Sequence, residues 1–339
     1  MILVGHQLLN GHQGEAKRVR TLAAVFLVAL AIAAVILGAA PAGVLAEPAY
    51  EKIAGTDRYQ TAIQISQRGY SPGVEAVVIA TGENYPDALS AAPLAAAYGG
   101  PVLLTRSAVL DEATRAEIAR LRPGKIYVVG LQASVVAEIR GAFPELGATG
   151  GIVPLIGRNR YDTARLVAEE VGSRLGEVTG AVIVPGDSFA DALAVAPLAA
   201  FRGWPILLTP RGGPVPAETQ EALVSLGVTN GLVVGTYAEV GVPGFTYKRV
   251  AGRDRYDTSA RLAELAVAEG LSYSYLGVAT GDNFPDALAA GPYLAQRGGV
   301  LLLVQSRGVP APAASLLLRE AESIDSVTFI GLAPGVAAQ

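Results

Sequence analysis

The segment IAGTDRYQTA (Ile53–Ala62) returns as IGRNRYDTAR (Ile156–Arg165) and again as VAGRDRYDTS (Val250–Ser259). A second segment keeps the same beat: ATGENYPDALSAAPLAA (80–96), VPGDSFADALAVAPLAA (184–200) and ATGDNFPDALAAGPYLA (279–295). Short apolar runs follow each of these, PVLLT from 101, PILLT from 205 and VLLLV from 300, and then IYVVG (126–130), LVVG (232–235) and VTFIG (327–331). The glycines of the first motif stand at 55, 157 and 252, so the copies are offset by 102 and 95 residues, which is too long for a solenoid repeat. Whatever one copy folds into must be built three times, each as a small domain.

Within a copy the periodicity alternates. Ala62, Ile63 and Ile65, or Leu166, Val167 and Val171, have helical spacing, whereas VVIA (77–80), VLL and YVV are apolar with no polar alternation. Strands apolar on both faces and separated by helices read as a parallel sheet covered on each side. The expected fold class is therefore α/β: three homologous Rossmann-like modules with short parallel sheets, packed with pseudo-threefold symmetry. A strand-like stretch precedes each glycine motif, at 51–53, 154–156 and 248–250, but none follows Gly331. That count suits a ring in which neighbouring modules exchange sheet edges. The expected divisions are 1–46, then modules at 47–150, 151–246 and 247–339.

Lys17, Arg18 and Arg20 precede an uninterrupted apolar run from Leu22 to Ala40, and Val44-Leu45-Ala46 supplies the small residues of a cleavage site. Residues 1–46 read as a secretory signal, with a retained N-terminal anchor as the alternative because 19 apolar residues also span a bilayer. Both histidines, His6 and His12, lie in this segment, and the chain has no cysteine. Beyond residue 46 a Ser/His/Asp triad, a Cys/His dyad and His- or Cys-ligated zinc are excluded. The chain carries 26 Lys and Arg against 30 Asp and Glu, and loss of residues 1–46 widens the acidic excess, which argues against nucleic acid as a partner. No Walker loop, Gly-x-Gly-x-x-Gly after a strand or Asp-x-Asp calcium loop appears, so no cofactor or metal is expected.

Taken together, the Gly-x-x-Arg-Tyr-x-Thr-Ala opening, the Asp-Ala-Leu-x-Ala-x-Pro-Leu-Ala helix and the Val-Val-Gly strand, in three copies from Glu51 to Val336, closely resemble the cell wall binding repeat 2 family. The resemblance implies noncovalent attachment to the Gram-positive cell wall through an anionic, teichoic-acid-like secondary polymer, and three modules about a pseudo-threefold axis. It also implies an effector region or surface-layer partner. Gln60 stands where the other copies have Asp162 and Asp257, Ala190 replaces Pro86 and Pro285, and Pro185 replaces Thr81 and Thr280, so the three modules need not bind equally.

Asn84 to Asp87, Ser188 to Asp191 and Asn283 to Asp286 have the spacing of a helix capping box, with the aspartate favouring the positive end of the helix dipole. Alternatively Asp87, Asp191 and Asp286 receive Arg58, Arg160 and Arg255, within a module or across a boundary. These arginines sit at the start of a helix, where a cation opposes the dipole, so a carboxylate partner or an anionic polymer must hold them. Tyr59, Tyr161 and Tyr256 read as amphipathic residues at the core edge, with sugar stacking as the alternative. Pro93, Pro197 and Pro292 should kink or end their helices. Two other functions fit the composition: a carboxylate-only wall glycan hydrolase and an extracytoplasmic solute-binding protein.

Overall fold

The computed structural model describes residues 48–236, 240–283 and 286–331, and the apolar N-terminal run lies outside them. The first repeat contains β1 (Ala49–Ile53), α1 (Arg58–Gly69), β2 (Ala76–Thr81), α2 (Ala91–Ala97), β3 (Val102–Thr105), α3 (Glu112–Leu121), β4 (Lys125–Val129), α4 (Ala133–Ala142) and α5 (Pro144–Ala148). The second runs through β5 (Ile152–Leu155), α6 (Arg160–Leu175), β6 (Ala181–Pro185), α7 (Phe189–Arg202), β7 (Ile206–Thr209), α8 (Ala217–Ser225) and β8 (Asn230–Val234). The third has β9 (Thr246–Val250), α9 (Arg255–Ala268), β10 (Ser272–Thr280), α10 (Ala290–Gln296), β11 (Gly299–Val304), α11 (Ala311–Arg319) and β12 (Ser326–Ile330).

Three four-stranded parallel sheets result, ordered β3-β2-β4-β5, β7-β6-β8-β9 and β1-β12-β10-β11. In each, three strands come from one repeat and the edge strand from the next. β5 pairs with β4, β9 with β8, and β1 closes the circle on β12, from Ala49 opposite Ser326 to Ile53 opposite Ile330. Between β4 and β5 the helices α4 and α5 make the crossover that a parallel neighbour requires, and the helix after each starter strand then carries the chain into the sheet of its own module. The edge exchange expected from the count of starter strands is therefore realised.

The inner faces of all three sheets share one apolar core, reaching from Ile53 through Val184 to Ile330. Separate smaller cores lie outside the first two sheets, around Ile79 and Ile126 and around Ile183 and Val233. At the centre α2, α7 and α10 meet at equivalent positions. A β-carbon added to Gly291 would fall 2.9 Å from those of both Ala92 and Ala196, so the contact leaves no room for a larger residue. The prolines next to this contact do not end their helices. Pro93 and Pro292 lie in the first turn of α2 and α10, behind 3-10 turns at Ala88–Ser90 and Asp286–Ala289, where a missing N–H is tolerated, and α7 runs on through Pro197.

Ile53 is fully buried at the end of the closing strand. Ile53→Ala should cost about 2–5 kcal/mol, and because it loosens the β1–β12 edge it should accelerate amide exchange in β12 as well as β1. Exchange that rises in β1 alone would show that the closing strand is not coupled to the third module.

Candidate functional site at the module boundaries

Each opening motif is a turn folded over the N-terminus of the helix it starts. Asp57 accepts from the Gln60 amide at 2.8 Å, Asn159 from those of Tyr161 and Asp162, and Asp254 from those of Tyr256 and Asp257. These are the N-caps, supplying acceptors for otherwise unpaired helix amides. The motif glycine donates its own amide to the motif threonine, Gly55 to Thr61, Gly157 to Thr163 and Gly252 to Thr258, at 2.9–3.1 Å.

The arginine after the cap reaches back into its own module. Arg160 Nη1 donates to the Gly186 carbonyl and Arg255 Nη1 to the Gly281 carbonyl, both at 2.5 Å, and Arg58 makes the same bond to Gly82. These glycines directly follow β2, β6 and β10. They are bare for a reason: a β-carbon on Gly82 would lie 2.8 Å from the Tyr59 ring, and one on Gly281 equally close to Tyr256. Arginine and tyrosine thus lie across a glycine backbone that has no side chain to exclude them. Tyr59 and Tyr256 are buried and Tyr161 is half-buried. Tyr256 also donates to Asp282, and burial together with that carboxylate pushes its hydroxyl up to about 12.

The aspartates lie across the boundary from the next arginine, in cyclic order. Asp87 faces Arg160 and the Thr163 hydroxyl, Asp191 faces Arg255, and Asp286 faces Arg58 and Thr61. Neither Arg160 nor Arg255 comes within 4.0 Å of its aspartate; each guanidinium is held by the glycine carbonyl instead. The expected capping boxes are not formed at the first two sites: the turn after Asn84 begins only at Ala88, where Asp87 makes no side-chain cap, and Ser188 does not cap α7 through its side chain. Asp87 instead presses on Gly130 at the end of β4, where an added β-carbon would sit 2.2 Å from its own; Gly331 holds Asp286 in the same way. Both glycines have positive φ, 64° in each case. Burial raises all three carboxyls above the ordinary range, against the lowering influence of the neighbouring arginines. At the boundary between the third and first modules these groups line a cleft of about 280 Å³.

Sequence reasoning overlooked the true caps, although Asp or Asn directly before a helix-opening Arg-Tyr is a visible signal. It noticed Gln60 without its meaning. Asp162 and Asp257, at that position, bind back to the Arg158 and Arg253 amides and to Arg165 and Arg261. The backbone bond from Arg158, then Arg165, lowers Asp162 to about 2, and Asp257 is lowered for like reasons.

These two sets of acids respond to pH with opposite sign. The stabilisation from Asp162 is complete above its ordinary value of 3.8 and is lost as pH falls towards 2, so Asp162→Asn should lower the melting temperature at pH 7 and match the parent near pH 2. Asp87, raised by burial, contributes stability when protonated and loses it as pH rises through its folded value. Asp87→Asn should therefore flatten the decline in melting temperature that sets in as pH rises above the ordinary aspartate value of 3.8. Parallel curves for parent and variant would show that Asp87 carries no burial penalty.

The chain matches the Cell wall binding domain 2 (CWB2) family at residues 52–140, 155–241 and 249–333, one match per repeat. It is 30% identical over 298 residues to the N-acetylmuramoyl-L-alanine amidase LytC of Bacillus subtilis (strain 168), covering 86% of this chain and 57% of that protein. It is 26% identical over 289 residues to the Amidase enhancer of the same organism, covering 85% and 39%. The chain spans about half the length of these relatives. Among solved structures, Cwp6 from Clostridium difficile superposes with a TM-score of 0.75 at 27% identity over 86% of this chain and 47% of that one. Cwp8 from the same organism gives 0.69 at 24%, over 84% and 49%. With a family match to each of its three repeats and the same fold in Cwp6, this chain belongs to the CWB2 cell wall binding family.

Proposed function

We propose that this protein is exported and attaches noncovalently to the Gram-positive cell wall by binding an anionic secondary wall polymer, with no catalysis of its own. The observation that carries this reading is that CWB2 matches account for all three repeats. Multivalency supplies the strength: weak contacts repeated on one rigid body raise the effective concentration at a repeating polymer. A catalytic role for Asp87, Asp191 and Asp286 is disfavoured by their positions. Each is set against a module boundary, with Gly130 and Gly331 packed on two of them. A partner such as an effector or surface-layer protein would draw on this anchoring.

Within this reading Arg58, Arg160 and Arg255, with their tyrosines and the boundary aspartates, are architectural. Their guanidiniums hold glycine carbonyls inside the module, and in Arg255 the cation also lies 5.2 Å from the Phe189 ring of the preceding module. Arg160→Gln or Arg255→Gln should remove a charge-assisted hydrogen bond worth about 1.5–3 kcal/mol. Melting temperature and sedimentation with purified walls should fall together. Loss of wall binding at an unchanged melting temperature would instead make these arginines ligand contacts. Release of reducing sugar from walls by the purified protein would overturn the non-catalytic reading.

A further inference from the structure

The three boundaries are alike in backbone and unlike in charge. Between the starter strand β9 and helix α9 runs a groove of about 380 Å³, lined by Lys248, Arg249, Arg261 and Glu264 over a floor of Val250 and Leu265. Lys248 and Arg261 are exposed and Arg249 is half-buried. Arg253, with 82% of its side chain exposed, stands at the head of the same helix. Glu264, the groove's own acid, is occupied by Arg319 at 2.5 Å, and Asp257 is shared between Arg253 and Arg261. The groove thus keeps a cationic surplus in a chain that is acidic overall.

Equivalent positions at the other boundaries lack it. Lys248, Arg249 and Arg261 correspond to Glu51, Lys52 and Gln64 beside α1, and to Val153, Pro154 and Leu166 beside α6. Glu51 there is engaged by Arg68, and the α6 boundary adds Glu169, Glu218 and Glu221 around Arg158 and Arg165. An acidic chain that grips a polyanion needs a place where its charge reverses. The groove runs beside a 14-residue helix, about 21 Å long, which gives a linear polymer room to lie along it.

We propose that the β9–α9 groove is the principal anion-binding site of the chain, taking a linear polymer with phosphate or carboxylate groups, and that the other two boundaries are secondary. The inference rests on the wall-binding reading and narrows it to one site. Lys248 sets the entry charge from the strand side, Arg261 faces the anions from the helix side, Arg249 adds its charge from where it donates to the Gly235 carbonyl and the Tyr247 hydroxyl, and the apolar floor accepts the backbone of the polymer.

The test uses residues 47–339 against poly(glycerol phosphate), polygalacturonate, neutral dextran and purified walls. Binding to one or both polyanions and not to dextran is expected, weakening as salt rises from 50 to 300 mM. Lys248→Glu should weaken it by about fivefold, and Lys248→Glu with Arg261→Gln by more, at a melting temperature within a few degrees of the parent. Lys52→Gln, at the position in the first module that corresponds to Arg249, should bind as the parent does. The two polyanions distinguish phosphate from carboxylate recognition. Unchanged polyanion and wall binding in both Lys248 variants would overturn the groove while leaving wall attachment standing. Failure of the parent to sediment with walls would instead overturn the functional reading, and polyanion binding would still decide the groove.

Discussion

Everything in this fold depends on short parallel pairings between modules, four or five residues at a time. Each starter strand leaves its own repeat and completes the sheet of the one before it, so no module owns a full sheet. The chain itself crosses two of the boundaries, and at the third the strand pairing is that of β1 on β12, beside the contact of Asp286 with Arg58 and Thr61. A parallel edge left unpaired would expose N–H and C=O groups beside an apolar core, which explains why the inner faces form one continuous cluster instead of three. Symmetry then comes from covalent order: three copies that each lend an edge backward must close, and with three of them the central helices meet at Ala92, Ala196 and Gly291.

The boundary residues serve that closure. Arginine and tyrosine from the first motif clamp a glycine in the second, which ties the crossover helix to its own sheet, while the aspartate after that glycine touches the neighbouring module. Holding a cation at a helix N-terminus and a carboxylate in a half-dry boundary each costs free energy. The glycine carbonyl offsets the first. The second is offset only in part, as the upward displacement of all three carboxyls records.

Much of this is legible in the residues. Continuous apolar strands between helices point to the parallel sheets, and the number of starter strands points to the exchange, because covalent order and strand count are written directly in the chain. The pairing partners of Arg58, Arg160 and Arg255 are not legible, since a backbone carbonyl leaves no residue type to recognise. Asp87 reads as part of a cap for a related reason: its spacing fits both a capping box and a boundary contact, and what decides is its packing on Gly130 and its bond to Thr163 of the next module, which sequence does not show. Position 60 stands out as a departure, yet its meaning needs the Arg158 amide that Asp162 binds. The basic groove is foreshadowed by Arg249 and Arg253, but its partner Lys248 lies on a strand that belongs to one repeat and serves another.

The closing pair has a mechanical consequence. β1 and β12 run parallel, so the chain entering β1 and the chain leaving β12 depart from opposite ends of the same ladder. Tension applied between residue 49 and residue 330 is then carried along the strand axes. The bonds of the ladder from Ala49 to Ile53 share that load and must yield together, where an antiparallel hairpin pulled at its open end would unzip one bond at a time. The strongest pulling geometry thus falls at the one junction that the covalent chain does not cross.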